Sequence, residues 1–264
     1  MKTALVCIAK NEDHYIDEWL GYHLKLGFDK IFVYQNDWRY AGDRSRYGDR
    51  VEWIEFDGEA MQMRAYNDFI DNRRADYDFA AFWDVDEFLC LKGFGSLPEF
   101  LSRYWDRCGV AVNWRVFGDN GLSGVSGGDY SLLKRFTKGQ AVLDRHVKTI
   151  LNMNRSRGMF HFVNPHFVDA SVERDVVSDA DKTRFVHGPW NYGCRCETVQ
   201  LNHYHSKTWP EFLEKMRRGK ADTPLAHPGY NYLSSDFMVH NFSEVEDLTA
   251  KEFYYGRGNG YESY

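Results

Sequence analysis

Long hydrophobic runs are missing from this sequence of 264 residues. The most apolar run near its middle, residues 79–83, ends directly in Asp84 and is far too short for a membrane-spanning helix. The apolar run at residues 4–9 has no small-residue cleavage pattern behind it, so we expect a first strand rather than a signal peptide. The five cysteines have no framework spacing, which is typical of a reducing compartment. Together these absences predict a cytoplasmic protein.

The sequence also has fewer basic than acidic residues. Lysine and arginine number 33 against 39 acidic residues, so the net charge is −6. Proteins that bind duplex nucleic acids usually carry a basic excess or a basic face, and no nucleic-acid partner is expected here. The Gly-rich loops that cradle phosphates and the nucleophile elbow of Ser/His/Asp hydrolases are absent as well. No linker rich in Pro or Ser divides the chain, which favours a single domain over residues 1–264.

Aromatic residues, in contrast, make up 17% of the sequence. Their flat, partly polar surfaces suit a protein that binds rings or sugars, although aromatic side chains also fill hydrophobic cores. A non-enzymatic carbohydrate-binding module is therefore one of the functions that the composition allows.

Strand and helix signals alternate along the first half of the chain. Apolar or alternating runs predict strands at residues 4–9, 30–35, 51–56 and 79–83. Helical periodicity predicts one helix that is capped by Asn11 or Asp13 and ends near Gly27, and a second at residues 59–74. This order of elements predicts a mainly parallel, doubly wound α/β sheet with right-handed crossovers.

Polar segments follow several of these predicted strands directly. In doubly wound sheets, ligands bind outside the carboxyl ends of the strands. We therefore expect one rim of the sheet to hold Lys10-Asn11-Glu12, Asn36-Asp37 and Asp84-Val85-Asp86.

Two capping-box patterns occur later in the chain, and they begin at Ser96 and Thr208. The first predicts a helix with Trp105 among its inward-facing side chains, and the second predicts a helix that buries Trp209. Residues 118–199 combine short strand signals with many Gly and Asn residues, which is typical of an irregular or antiparallel segment.

Asp84 and Asp86 are the strongest chemical signal in the sequence. Carboxylates at the edge of a core are costly unless something compensates their charge. If the chain turns after the strand, both side chains can reach one hard divalent cation, Mg²⁺ or Mn²⁺, which keeps positions open for phosphate oxygens. Aspartates in an ordinary turn are the alternative, but the preceding apolar strand and the flanking Trp83 and Phe88 favour the metal interpretation.

Four blocks of sequence resemble one known group of enzymes. They are Ala9-Lys10-Asn11-Glu12 with Glu18-Trp19-Leu20, Gln62 with Ala65-Tyr66-Asn67, the extended D-x-D block at residues 82–89, and Leu201-Asn202-His203-Tyr204 with Lys207 and Lys215. Through these blocks the chain resembles the GT-A glycosyltransferases of the family-2-like group and is similar to glycosyltransferase family 92. It departs from that group at residues 35–38, where the group often has an Asp-Asn pair and a Ser.

This resemblance implies a GT-A fold, a Rossmann-like and mainly parallel α/β sheet with helices on both faces. It implies a hexosyltransferase that moves a sugar from a nucleotide sugar, expected to be UDP-linked, to a hydroxyl of a glycan or lipid-linked glycan in polysaccharide synthesis. Mn²⁺ or Mg²⁺ would be the cofactor. Residues 1–108 would form the nucleotide-binding half, residues 109–255 the acceptor-side half and residues 256–264 a flexible tail. A nucleotidyltransferase on a similar sheet is the alternative enzyme.

The resemblance also implies roles for individual residues. Asp84, Asp86 and His203 would hold the metal ion, with His205 as the alternative third ligand, although His203 could also be a packed histidine. Gln62 and Arg64 would face the sugar or diphosphate, unless they lie on a solvated helix face. The full set of implied donor contacts is Ala9, Asn11, Asn36 or Asp37, Gln62, Arg64 and Asp84.

An inverting reaction would need a carboxylate to accept the proton of the acceptor hydroxyl. Asp119 follows a predicted strand and is the candidate catalytic base. Asp119-Asn120-Gly121 is also a plain turn sequence, and a retaining enzyme would need no such base.

Two further clusters allow more than one interpretation. A basic cluster could clamp a diphosphate, make peripheral contact with a membrane or complement a helix dipole: Lys207, Lys215, Arg217 and Arg218. A Cys/His cluster could bind zinc, although its C-x-C spacing is unlike that of a standard structural zinc loop: Cys194, Cys196, His203 and His205.

Overall fold

The computed structural model describes residues 1–155, 161–168, 177–194, 197–219 and 230–256. The expected flexible tail beyond residue 256 and Cys196 of the expected zinc cluster lie outside these ranges. Among the helices of the described ranges, none is both long enough and apolar enough to cross a membrane.

The strands within the described ranges are numbered in chain order. They are β1 (Thr3–Ala9), β2 (Lys30–Gln35), β3 (Val51–Glu55), β4 (Phe79–Phe82), β5 (Glu87–Leu91), β6 (Gly109–Val116), β7 (Lys138–Gly139), β8 (Val147–Asn152), β9 (Phe162–Asn164), β10 (Phe167–Val168), β11 (Val177–Asp179), β12 (Val199–His203) and β13 (Val245–Glu246). The α-helices are α1 (Ile16–Leu26), α2 (Gln62–Arg73), α3 (Leu97–Ser102), α4 (Leu132–Arg135), α5 (Trp209–Arg218), α6 (Tyr230–Val239) and α7 (Thr249–Tyr255).

One large sheet organises the molecule. Its strands follow the order β3-β2-β1-β4-β8-β6-β12-β5, and β11 pairs with β6 beside this path. Strands β1, β2, β3 and β4 pair in parallel, and β6 pairs in parallel with β11 and β12. Strand β8 is antiparallel to β4 and β6, and β5 is antiparallel to β12. The sheet is therefore mainly parallel, as predicted.

Strand β1 shows how helices come to cover both faces of this sheet. Because successive side chains of a strand point to opposite faces, Leu5 and Cys7 pack in one core cluster with Trp19 of α1. Val6 packs in the other cluster, together with Phe69 of α2. The predicted fold class, a mainly parallel α/β sheet with helices on both faces, is confirmed.

The predicted start of α1 is wrong. The helix begins at Ile16, and its N-cap residue Tyr15 makes no side-chain cap. Asp13 does not cap the helix because Oδ2 accepts a hydrogen bond from Trp38 Nε1 at 2.7 Å instead. The predicted end is confirmed, since Gly27 closes the helix with a φ of 116°, a conformation that glycine adopts without strain.

Both helices begin where the capping patterns indicated, and only the second forms a full capping box. Ser96 Oγ accepts a hydrogen bond from Glu99 N at the start of α3, and Thr208 forms a reciprocal box with Glu211 at the start of α5. The inward orientation expected for Trp105 is wrong. Helix α3 ends at Ser102, so Trp105 leaves the helical register, and 39% of it is exposed.

Strand β12 carries the later part of the chain back to the rim formed by the first strands. It lies between β6 and β5, with His203 opposite Glu87 on one side and Val116 on the other. Tyr204 N then donates to Asp86 O at 2.9 Å. Residues that are far apart in sequence therefore meet at one edge of the sheet.

Gly118 lies just beyond β6, where the chain packs closely against residues 241–242. A β-carbon at this position would lie 2.6 Å from Phe242 O and 2.7 Å from Phe242 N, both backbone atoms that cannot rotate away. Gly118→Ala should lower the free energy of unfolding by about 1–3 kcal/mol, measured by urea denaturation. Gly124→Ala is the control because its β-carbon would meet no atom within 4 Å, and we expect a change within about 0.5 kcal/mol. Equal effects of the two substitutions would contradict this account.

Candidate functional site

A cavity of about 440 Å³ opens at the carboxyl edge of the parallel strands, and we call it the rim cavity. All three polar segments expected at the rim contribute to it. Its polar and aromatic lining residues include Lys10, Glu12, Asn36, Asp37, Gln62, Asp84, Asp86, Trp114, His166, His203, His205, Lys215 and Arg218.

A tight turn presents the two aspartates to the rim cavity. Trp83 N donates to Val6 O, which continues the pairing of β4 with β1 up to the turn. Glu87 N then donates to Asp84 O at 3.0 Å, and Asp84 N donates to Glu87 Oε2 at 2.9 Å. These two hydrogen bonds fix the turn, so both Asp84 and Asp86 are held at the end of a buried strand.

Asp84 is paired with a buried lysine. Lys148 Nζ of β8 donates to Asp84 Oδ2 at 2.8 Å, and Gln62 Nε2 donates to Asp84 Oδ1 at 2.7 Å. Burial opposes charge on Lys148, but the carboxylates of Asp84 and Glu87 outweigh it and raise the pKa of Lys148. Burial likewise favours neutral Asp84, yet Lys148 lowers the pKa of Asp84. Both groups are therefore charged near neutral pH.

Asp86 has partners from the C-terminal part of the chain. Its Oδ2 lies 2.7 Å from Lys215 Nζ and 3.4 Å from Lys207 Nζ. Although burial favours the neutral acid, these lysines and His203 hold the pKa of Asp86 well below its usual value. Asp86 Oδ1 lies 3.5 Å from His203 Nε2 and has no hydrogen-bond partner among the described residues.

Burial has the largest effect on the pKa of two neighbouring groups. Burial is the largest effect on Glu87 and raises its pKa to about 8. Burial also lowers the pKa of His203 to about 4, despite the nearby Asp86. His203 therefore offers neutral ring nitrogens near pH 7.

The charged groups differ in their access to the rim cavity. The side chains of Lys148 and Lys207 are 1% and 3% exposed, so they act as internal counter-ions. The Asp84 side chain is 35% exposed and that of Lys215 is 20% exposed. A bound ligand can therefore contact Asp84 and Lys215 directly.

The nucleotide contacts expected from the sequence divide into two groups. Ala9, Asn36, Asp37 and Gln62 do line the rim cavity. The Asn36 amide is engaged within the protein, since its Nδ2 donates to the carbonyl oxygens of Phe56 and Gly58. Asp37 lies at the mouth of the rim cavity, and its Oδ2 is 3.1 Å from Lys10 Nζ.

Three expected site residues do not reach the cavity lining. Asn11 is exposed beyond the end of β1, and Arg64 lies exposed on α2. Asp119 belongs to a turn in which Oδ1 accepts from Gly121 N at 2.9 Å and Oδ2 accepts from Asn241 Nδ2 at 3.0 Å. Asp119 therefore occupies a turn outside the cavity lining, and its role as catalytic base stays a prediction.

Lys148 is a site residue that the sequence interpretation missed. It lies within Val147–Asn152, a strand that is buried throughout. A lysine inside a strand with apolar neighbours was the available signal, because buried lysines are rare unless paired. Its partner is 64 positions away, so the sequence alone could not show that Asp84 compensates it.

Helix α5 is positioned by a buried carboxylate at its first turn. Arg135 donates to both oxygens of Glu211, at 2.8 and 2.6 Å, and Tyr15 OH donates at 2.7 Å. At the other end of the helix, Arg218 donates to Lys10 O at 2.8 Å. These contacts hold α5 against the rim. Of the predicted basic cluster, Lys207, Lys215 and Arg218 point inward, and Arg217 is exposed.

Comparisons with known proteins find only distant structural likenesses. No protein-family model matches the chain, and no curated protein matches it. A crystal structure of S. aureus TarS 1-349 covers 98% of this chain and 74% of its own, with 14% identity and a TM-score of 0.42. Another of S. aureus TarS covers 90% of this chain and 43% of its own, with 14% identity and a TM-score of 0.39. A mycobacterial protein covers 43% and 41%, with 16% identity and a TM-score of 0.29.

TM-scores of this size carry no argument about the activity of this chain. The likeness to glycosyltransferase family 92 remains a prediction from the sequence blocks.

Glu211 should make stability depend on pH. Burial favours its neutral form, but hydrogen bonds from Arg135, Thr208 and Tyr15 outweigh burial and lower its pKa to about 2, against an ordinary value of 4.5. A lowered pKa stabilises the protein above pH 4.5, and this contribution is lost as pH falls towards 2. Glu211→Gln should therefore cost about 3 kcal/mol at pH 7 and progressively less below pH 4.5, measured by denaturant unfolding.

The control for this experiment is Glu214→Gln, on the exposed side of the same helix. Its effect on stability should be small at every pH. A constant difference between wild type and Glu211→Gln across the acidic range would show that the carboxylate does not act through its charge.

Proposed function

We propose that this protein is a metal-dependent glycosyltransferase that moves a sugar from a UDP-linked donor to an acceptor hydroxyl, in polysaccharide or glycan synthesis. The proposal is carried by one observation: Asp84 and Asp86 leave the end of a central strand and face a cavity together with accessible cations. That edge of a doubly wound sheet is where ligands bind. The sequence blocks that resemble GT-A glycosyltransferases contribute residues to the same cavity.

The nucleoside would occupy the end of the cavity next to β1 and β2. Ala9 ends β1 and leaves room beside the strand, while Asp37 follows β2. The Asp37 carboxylate is 41% exposed and can accept hydrogen bonds from a base edge or from ribose hydroxyls. Asn36 would shape this end of the cavity, because its side-chain amide already holds residues 56–58 in place.

The diphosphate would lie towards α5. Departure of a nucleoside diphosphate places negative charge on the leaving group, and preorganised cations stabilise that charge best. Lys215 and Arg218 line this part of the cavity, and their helix is fixed by Glu211 at its other end. A diphosphate here would therefore meet cations that are already in position.

Among the described residues, the ligand atoms of Asp84, Asp86 and His203 do not lie within 4.8 Å of one another, so a divalent metal ion would have to draw these side chains together. Asp86 Oδ1 is buried without a hydrogen-bond partner among the described residues, and it faces the neutral imidazole of His203. Carboxylate oxygens with one imidazole nitrogen suit Mn²⁺ or Mg²⁺. Asp84, Asp86 and His203 would hold the ion, which would supply Lewis-acid stabilisation of the leaving diphosphate.

The acceptor would approach along a strip of aromatic side chains. Trp114 lines the rim cavity, and its ring lies 5.2 Å from that of His146. His146 lies 6.3 Å from Trp190, which is 47% exposed and has Arg145 over its ring. The exposed indole of Trp190 suits the apolar face of a sugar ring, which supports a glycan acceptor.

Metal-dependent nucleotide binding can be tested by thermal shift with Mn²⁺ and UDP. Stabilisation by UDP should require Mn²⁺ and reach about 2.7 kcal/mol at a ligand concentration of 100 Kd. Asp86→Asn should lose the metal-dependent part because it removes a proposed ligand. His203→Gln serves as a second variant that leaves the pairing of Asp86 with lysines intact.

Asp106→Asn is the matched control, since Asp106 is an exposed aspartate that pairs with Lys182 outside the rim cavity. It should keep the full response to UDP and Mn²⁺. An absence of any nucleotide response in the wild type would reject the proposal. Stabilisation by glycans alone would then favour a carbohydrate-binding module.

The acceptor strip makes a separate prediction. Trp190→Ala should reduce transfer to a glycan acceptor by about 3- to 10-fold, the loss expected for one stacking contact, and leave metal-dependent hydrolysis of the donor unchanged. Product analysis over a panel of glycans and nucleotide sugars measures both rates. Trp105→Ala removes another partly exposed indole, which packs on Phe79 at the start of β4, and should change neither rate. Equal loss in both variants would argue against the strip.

A further inference from the structure

Three side chains from separate parts of the chain meet beside α6. His205 follows β12, Asp236 belongs to α6, and His240 follows that helix. One ligand atom from each lies within 4.8 Å of the others. His205 Nε2 is 3.8 Å from Asp236 Oδ2, and His240 Nδ1 is 3.4 Å from Asp236 Oδ1. We propose that these residues bind a divalent transition-metal ion of the Zn²⁺ type, in a second site separate from Asp84 and Asp86.

The ring of His240 is fixed by a hydrogen bond within its own turn. Its Nδ1 lies 2.9 Å from the carbonyl oxygen of Asp236, to which the neutral ring can donate. That hydrogen bond leaves Nε2 with a free lone pair. Metal-binding histidines usually donate their other ring N–H in this way, which fixes both the tautomer and the ring plane.

His205 provides an independent observation that favours a bound ligand. Its Nε2 is buried and has no hydrogen-bond partner among the described residues. A buried polar atom without a partner is uncommon and costs free energy. Coordination of a metal ion would satisfy this nitrogen.

The three side chains are held by packing around them. The rings of His205 and His240 lie 4.5 Å apart at 45°, an arrangement in which they converge without stacking. Ser206 Oγ donates to His240 O at 3.0 Å, which joins the segment after β12 to the end of α6. Phe237 of α6 also packs on Phe212 of α5. The cluster therefore has a supported framework on both sides.

The donor set distinguishes this site from the carboxylate pair. Two imidazoles and one carboxylate suit Zn²⁺ and related first-row ions, whereas Mg²⁺ prefers oxygen ligands. Three protein ligands would leave a coordination position for water or substrate. Because His205 lines the rim cavity and Asp236 belongs to α6, the ion would link α6 to the wall of the rim cavity. This inference does not depend on the proposed glycosyl transfer.

The test is Zn²⁺ binding to the full chain after removal of metals with a chelator. Equilibrium dialysis is carried out in excess Mg²⁺, which competes for oxygen-rich sites. Wild type should bind one equivalent of Zn²⁺. Asp236→Asn and His240→Gln should each weaken Zn²⁺ binding by at least about 10-fold, because mutation of a residue that only supports a metal ligand already lowers metal affinity by that factor.

Two control variants separate this site from others. Asp71→Asn disrupts an exposed ion pair between Asp71 and His161. Among the described residues, this pair has no third metal-ligating side chain beside it. The variant should therefore bind Zn²⁺ like wild type. Asp86→Asn should also retain one equivalent of Zn²⁺, even if its response to UDP and Mn²⁺ is lost. Circular dichroism verifies the fold of each variant, and visible absorption of bound Co²⁺ reports imidazole coordination in the wild type directly.

Several results would overturn the inference. Wild type that binds no Zn²⁺ in excess Mg²⁺, or Co²⁺ whose visible spectrum stays that of the free aqua ion, would reject the site. Unchanged affinity in both Asp236→Asn and His240→Gln would do the same. Loss of Zn²⁺ only in Asp86→Asn would assign the ion to the carboxylate pair instead.

Discussion

Compensation of buried charge at the end of β4 is the constraint on which the rest of the structure depends. Asp84 and Asp86 are ionised at the edge of a core, and each needs a cation within contact distance. Lys148 comes from β8, and Lys215 comes from α5. An unpaired buried charge costs several kcal/mol, so the sheet and the C-terminal helix must close together around this turn.

The same constraint decides what the rim cavity can bind. Counter-ions that are fully buried, such as Lys148, serve the fold and stay with their carboxylates. Accessible groups such as Lys215 can exchange a protein carboxylate for a phosphate oxygen. A metal ion and a diphosphate would therefore enter a region whose charges are already balanced. The positive charge of the ion and the negative charge of the diphosphate would compensate each other.

Sequence patterns predicted what depends on neighbouring residues and missed what depends on distant ones. Continuous apolar runs located β1, β2 and β4, and the rule for doubly wound sheets placed Asn36, Asp84 and Asp86 at one rim. Lys148 was missed because its partner lies in another strand. The bond of Asp119 to Asn241 spans 122 positions, so the local turn sequence could not show that Asp119 lies outside the lining of the rim cavity.

Asp86 and Glu87 show why such long-range contacts matter for chemistry. These adjacent acids are both buried, yet the pKa of Asp86 is far below its usual value and that of Glu87 rises to about 8. The difference arises because Asp86 faces two lysines of the C-terminal region, whereas burial outweighs the single lysine near Glu87. The ionisation of the site is therefore set by residues that only the folded chain brings to the turn, and a D-x-D pattern acquires its chemistry from them.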